Sequence, residues 1–104
     1  VTQQALASKE ELAAKIDVTD WFSLRAHLEH GRVILVDRML DLAQVGFSVA
    51  LDEVKVMERW VGSGLIGKPS AEQIVQWDQQ KGKTFLCLIV SPFVLIQEQG
   101  SAIS

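Results

Sequence analysis

Apolar residues in this chain follow two different spacings, and each spacing predicts a different element. From Lys83 to Glu98, ten apolar residues stand in two runs, Phe85–Val90 and Phe93–Ile96, separated only by Ser91-Pro92. Nearly every position is apolar, so no helical stripe can be drawn through the stretch. β-Branched and aromatic residues are frequent in it, as suits strand material buried on both faces of a sheet. A membrane-spanning helix would need roughly 18 or more continuous apolar residues, and this stretch falls short. Arg32-Val33-Ile34-Leu35-Val36 is a second consecutive run and predicts a second strand in a sheet whose middle is covered. Leu65-Ile66 reads as a short edge strand. Proline cannot donate to a sheet ladder, and type I turns disfavour it at their second central position. One long strand, bent or bulged at Pro92, is therefore expected in preference to a two-strand hairpin.

The other spacing is helical. Ser8 followed by Glu11 forms a capping-box signature and opens a helix to about Ile16. Asp17 or Thr19 is expected to cap a second helix carrying Trp21, Leu24 and Leu28, and Gly31 to end it in the left-handed conformation. Asp41 with Gln44 marks a third helix through Leu42, Val45 and Val49. Gly46 inside it costs about 1 kcal/mol against alanine, which predicts a close neighbour. Asp52 is expected to cap a fourth helix, with Val54, Met57 and Val61 on one face and Trp60 beside them. Gly62-Ser63-Gly64 stops that helix. Ser70 with Gln73 repeats the capping box ahead of Ile74 and Trp77, and Lys81-Gly82-Lys83 turns the chain into the long apolar stretch.

Helices and strands thus alternate irregularly, and the fold class is α+β. The expectation is one domain over residues 8–98, with a mixed or antiparallel sheet of about three strands against four to five helices. A winged-helix-like order is the alternative. Residues 1–7 and 99–104 are expected as tails.

Composition narrows the partners more than the chemistry. The chain has 104 residues, 48% hydrophobic and 22% charged, with a net charge of −3, which suits a single domain with its own core. Its ten basic residues form no block or stripe, making nucleic acid an unlikely partner. A single cysteine, Cys87, cannot form an internal disulfide. Val1-Thr2-Gln3-Gln4 has no basic segment leading into an apolar one, so no secretion signal or membrane association is expected, and a cytoplasmic location follows by default.

Four pieces, in order and with compatible spacing, resemble a family of short bacterial proteins, the domain of unknown function DUF2288. They are Gly31–Asp37, Leu40–Val45, the stretch from Asp52 through Trp60 to Leu65, and Ser91–Glu98. The likeness covers roughly residues 9–98. It implies a bacterial, cytoplasmic protein and brings no activity and no catalytic residues.

Candidate chemistry is sparse. Asp37, Asp41, Asp52 and Glu53 are carboxylates that would serve acid–base work or a hard cation if they converged; capping and solvation are the plainer account. His27 and His30 are too few for a zinc site, and a helix C-terminus favours histidine anyway. Cys87, between Leu86 and Leu88, reads as a small buried hydrophobe. Trp60, Trp77 and Trp21 suit either a core or an interface. No cofactor and no metal are expected. The reading preferred is a non-catalytic interaction module that self-associates through a β edge, with Pro92 and the bend there as the place to look. A winged-helix-like nucleic-acid module and a small ligand-binding or enzyme domain using Asp37, Asp41 and Asp52 are the alternatives.

Overall fold

A computed structural model describes residues 8–99. Ten elements follow one another: α1 (Lys9–Ala14), β1 (Asp17–Asp20), α2 (Trp21–Leu28), β2 (Val33–Val36), α3 (Leu42–Ala50), α4 (Val54–Gly62), β3 (Ile66–Gly67), α5 (Ala71–Asp78), β4 (Thr84–Val90) and β5 (Phe93–Glu98). The α+β class stands, but the sheet has five strands, in the order β1-β4-β5-β2-β3. β2 and β5 are parallel and the other pairs antiparallel. Of the winged-helix-like order, α3, α4 and the short β3 are present, but β4 lies inside the sheet where a wing would project.

The consecutive apolar runs are explained by helices on both faces. On one face Trp21 and Leu24 of α2 and Trp77 of α5 pack against Phe85, Cys87, Val33, Val94 and Ile96. On the other, Leu12, Leu42 and Val45 pack against Leu88, Leu95, Val36 and Ile66. Alternate residues of β4 and β5 point to opposite cores, so neither strand has a polar side. Trp77 meets Trp21 and Phe85 edge-on, at centroid distances of 4.9 and 4.8 Å. The indole Nε1 of Trp21 donates to Asp78 Oδ1 at 2.7 Å, and Arg25 Nε pairs with the same oxygen at 3.0 Å. The buried indole N–H is thereby satisfied, and α2 is tied to the end of α5.

Three expectations need correction. Ser91-Pro92 is a hairpin turn and not a bend: Val90 pairs with Phe93, and the Ser91–Pro92 peptide is cis. Proline at the second central position is disfavoured in type I turns but is the defining residue of type VI turns when cis. Asp17 and Thr19 belong to the edge strand β1, and Asp20 caps α2 by accepting from Ser23 N at 2.9 Å. The caps expected of Asp41 and Asp52 also differ. Asp41 sits at the N-cap of α3 without a side-chain capping bond; Asp52 lies one residue before the N-cap Glu53, in the left-handed region at φ 58°. Both predicted capping boxes, Ser8/Glu11 and Ser70/Gln73, are present, and Gly31 takes φ 68° at the end of α2. The expected tails lie outside the described residues except Gln99, whose Oε1 accepts from Thr84 Oγ1 at 2.6 Å.

Gly46 shows why α3 tolerates a glycine. A Cβ there would stand 2.5 Å from Leu88 Cδ2, a fully buried side chain. Replacing Gly46 with alanine should destabilise the protein by up to about 2 kcal/mol, since overpacking of roughly 1–3 kcal/mol is set against the ~1 kcal/mol gain in helix propensity. Gly62→Ala, with nothing within 4 Å, should be neutral or mildly stabilising. Urea unfolding of both variants tests the contact; equal stabilisation by the two would show that it does not matter.

Candidate functional site

The connection from β2 to α3 is shaped by a glutamine near the carboxyl end of the central strand β5. Gln97 is buried on β5, and its Nε2 donates to the carbonyls of Asp37 and Leu40 at 3.0 and 2.7 Å. Asp37 folds back within the same turn, its Oδ1 accepting from Met39 N at 2.8 Å, an arrangement characteristic of Asx turns. The turn so fixed forms one wall of a cleft of about 410 Å³ at the carboxyl ends of the parallel strands β2 and β5. Leu65 and Ile66 form the apolar side, and Asp37, Arg38, Gln73 and Glu98 supply polar groups. Glu98 is taken by Lys83 Nζ at 2.8 Å. Arg38 takes part in none of the ion pairs found among the described residues. Lys68 also lines the cleft, but its ammonium lies toward Gly31 and the end of α2, 4.0 Å from where a Cβ on that glycine would be.

The carboxylates named from the sequence occupy three separate places. Asp37 is at the cleft; Asp41 pairs with Lys9 at 3.0 Å where α1 meets α3; Asp52 borders a second, apolar hollow under α4. Glu53 is exposed at the N-cap of α4. Among the described residues, no group of three or more His, Cys, Asp and Glu is placed to hold a metal ion. His27 and His30 are exposed near the end of α2. Trp77 and Trp21 are core residues, and Trp60 is half-buried against the other core. Pro92 is exposed at the hairpin tip. Gln97 is the residue that sequence reasoning missed; its only signal was a polar side chain closing an otherwise apolar strand.

Cys87 is buried, and desolvation pushes its thiol pKa upward, with the nearby Asp17 carboxylate adding to the effect and a hydrogen bond involving Thr19 opposing it. A raised pKa means less thiolate at any given pH, so the reactive form gathers only at higher pH. Alkylation of the folded protein at pH 8 should be about tenfold or more slower than in urea. A thiol-reagent time course in both solvents checks this, and equal rates would contradict the buried placement.

The solution NMR structure of PA1075 from Pseudomonas aeruginosa is similar to this fold, with a TM-score of 0.76 and 25% sequence identity over 89% of this chain and 85% of that one. No curated protein matches the chain. Among the described residues, no helix is long and apolar enough to cross a membrane. Residues 7–98 match the model of the family described as protein of unknown function (DUF2288), and the chain belongs to that family.

Proposed function

We propose that this protein is a non-catalytic interaction module of the bacterial cytoplasm and that it self-associates along the open part of β4. One observation carries the reading. β1 pairs with residues 84–87 of β4 and its register ends at Asp17↔Cys87; no described strand lies against the outer side of Leu88–Val90. Ile89, in the middle of that segment, projects from the sheet face that carries Phe85 and Cys87, with 63% of its surface exposed. An uncovered strand edge beside a large apolar side chain favours strand addition by another chain. A second copy offers the same edge, and antiparallel pairing about Ile89 would give a two-fold, self-complementary contact.

The sheet's other edges support this choice of place. β1 reads Asp17-Val18-Thr19-Asp20, so half of its residues carry negative charge, and β3 is only two residues long. Short strands and charged side chains are the usual protection of a sheet edge. The open segment of β4 is also short, Leu88 to Val90, but unlike β1 it carries no charge.

Light scattering coupled to gel filtration should give a dimer mass at tens of micromolar. Ile89→Lys should give a monomer with an unchanged circular dichroism spectrum, because the side chain is exposed and contributes little to the core. A monomer mass for the unsubstituted protein throughout the micromolar range would overturn the proposal.

A further inference from the structure

We propose that the hollow beneath α4 is a binding site for a small ammonium compound with an apolar body, and that Asp52 is its counter-charge. The hollow measures about 190 Å³. Val45 and Leu95, both fully buried, form its floor together with Ile66, and Met57 of α4 forms part of its roof. Protein interiors pack to crystal-like density, with few voids larger than a water molecule. An apolar cavity of about 150 Å³ stays dry and admits benzene, so a void of this size and lining suits a ligand of similar bulk.

The helix over the hollow is held in a way that leaves the space open. α4 buries no residue completely, and Val54 and Val61 remain 49% and 57% exposed although they belong to its apolar face. Its half-buried Met57 and Trp60 pack on the core, and backbone bonds close the turns at its two ends. Glu53 N donates to Ser48 O at 3.0 Å and Leu65 N to Trp60 O at 2.8 Å, with Asp52 at φ 58° and Gly64 at φ 76° in the flanking turns. Met57 is unbranched and adapts its shape to whatever it contacts.

The charge of the ligand follows from Asp52, the one ionisable side chain in the lining. Asp20, Asp37, Asp41 and Asp78 each accept a hydrogen bond or an ion pair from the protein. The exposed Asp52 carboxylate has no such partner among the described residues, and neither does Asp17, but of the two Asp52 is the one beside the apolar lining. A cation placed there keeps its apolar part in the hollow and pairs with the carboxylate at the solvent-exposed rim, an attraction that added salt screens. This site is separate from the Ile89 edge and does not depend on self-association.

Titration with benzylamine at pH 7, followed by methyl NMR of Ile66, Val45 and Met57, tests the assignment. Saturable shifts of these methyl groups are expected, with affinity at least fivefold above that for benzyl alcohol and no saturation by benzoate. Asp52→Asn should bring benzylamine down to the level of the alcohol while leaving the fold intact, since asparagine tolerates positive φ at least as well as aspartate. Val49→Phe, which fills the hollow, should abolish the shifts; if that variant does not fold, Asp52→Asn alone decides. Absence of saturable shifts overturns the proposal. Equal binding of amine and alcohol, or binding indifferent to Asp52→Asn, overturns it too.

Discussion

Burial of the β4–β5 pair on both faces is the constraint on which the rest of the fold depends. Phe85, Cys87, Val94 and Ile96 need one apolar layer, and Leu88 and Leu95 need another on the opposite side. A short chain can supply both layers only by sending helices to each face. α2 and α5 serve the first, α1, α3 and α4 the second. Close approach at Gly46 lets α3 settle onto Leu88, while the Trp21–Trp77–Phe85 group fills the opposite layer with large rings. The polar bonds at the periphery follow from this packing. The Asp78 carboxylate satisfies a buried indole N–H, and Gln97 holds the turn between β2 and α3, where the Asp37 carbonyl also accepts from Leu40 N but the Leu40 carbonyl has Gln97 as its donor.

How much of this was legible depended on whether the deciding interactions were local. The β4 and β2 runs announced burial on both faces because a continuous apolar run has no solvent side to offer. The Ser8/Glu11 and Ser70/Gln73 boxes were equally legible, since both partners lie within four residues. β1 was not, because Asp17-Val18-Thr19-Asp20 has one strongly apolar residue and becomes a strand only by pairing with β4, far along the chain. Asp41 looked like a cap and is drawn instead to Lys9 across a helix contact. Asp52 looked like the same thing and sits one residue too early, its backbone left-handed. The turn at Pro92 was settled by the pairing of the flanking strands, from Val90↔Phe93 to Phe85↔Glu98, and one apolar run reads the same whether it bends or folds back.

The candidate site was less legible than the fold for a related reason. Its polar cleft is built from the end of β2, the segment around β3, the first turn of α5 and the end of β5, so no stretch of sequence contains it. Asp37 was singled out for its charge, yet its carboxylate is occupied by Met39 N–H within its own turn. Gln97, which positions that turn, has no sequence motif around it.

Incomplete burial separates the places proposed for binding from the packing that holds the fold. The core leaves no buried side-chain nitrogen or oxygen unsatisfied among the described residues, so the scaffold itself holds no frustrated polar group whose relief would signal a ligand. What the packing does leave over is apolar. Ile89 lies beyond the reach of β1, and α4 stands above the sheet with part of its apolar face in solvent. Single exposed apolar residues are ordinary on protein surfaces. Ile89, however, adjoins an open strand edge, and α4 contributes Met57 to a hollow that has one charged residue in its lining. Each combines apolar surface with a second, directional element: backbone hydrogen-bonding groups in one case, a carboxylate in the other. Directional groups confer selectivity on a contact whose apolar part supplies most of the affinity, and in the described fold those two places unite both.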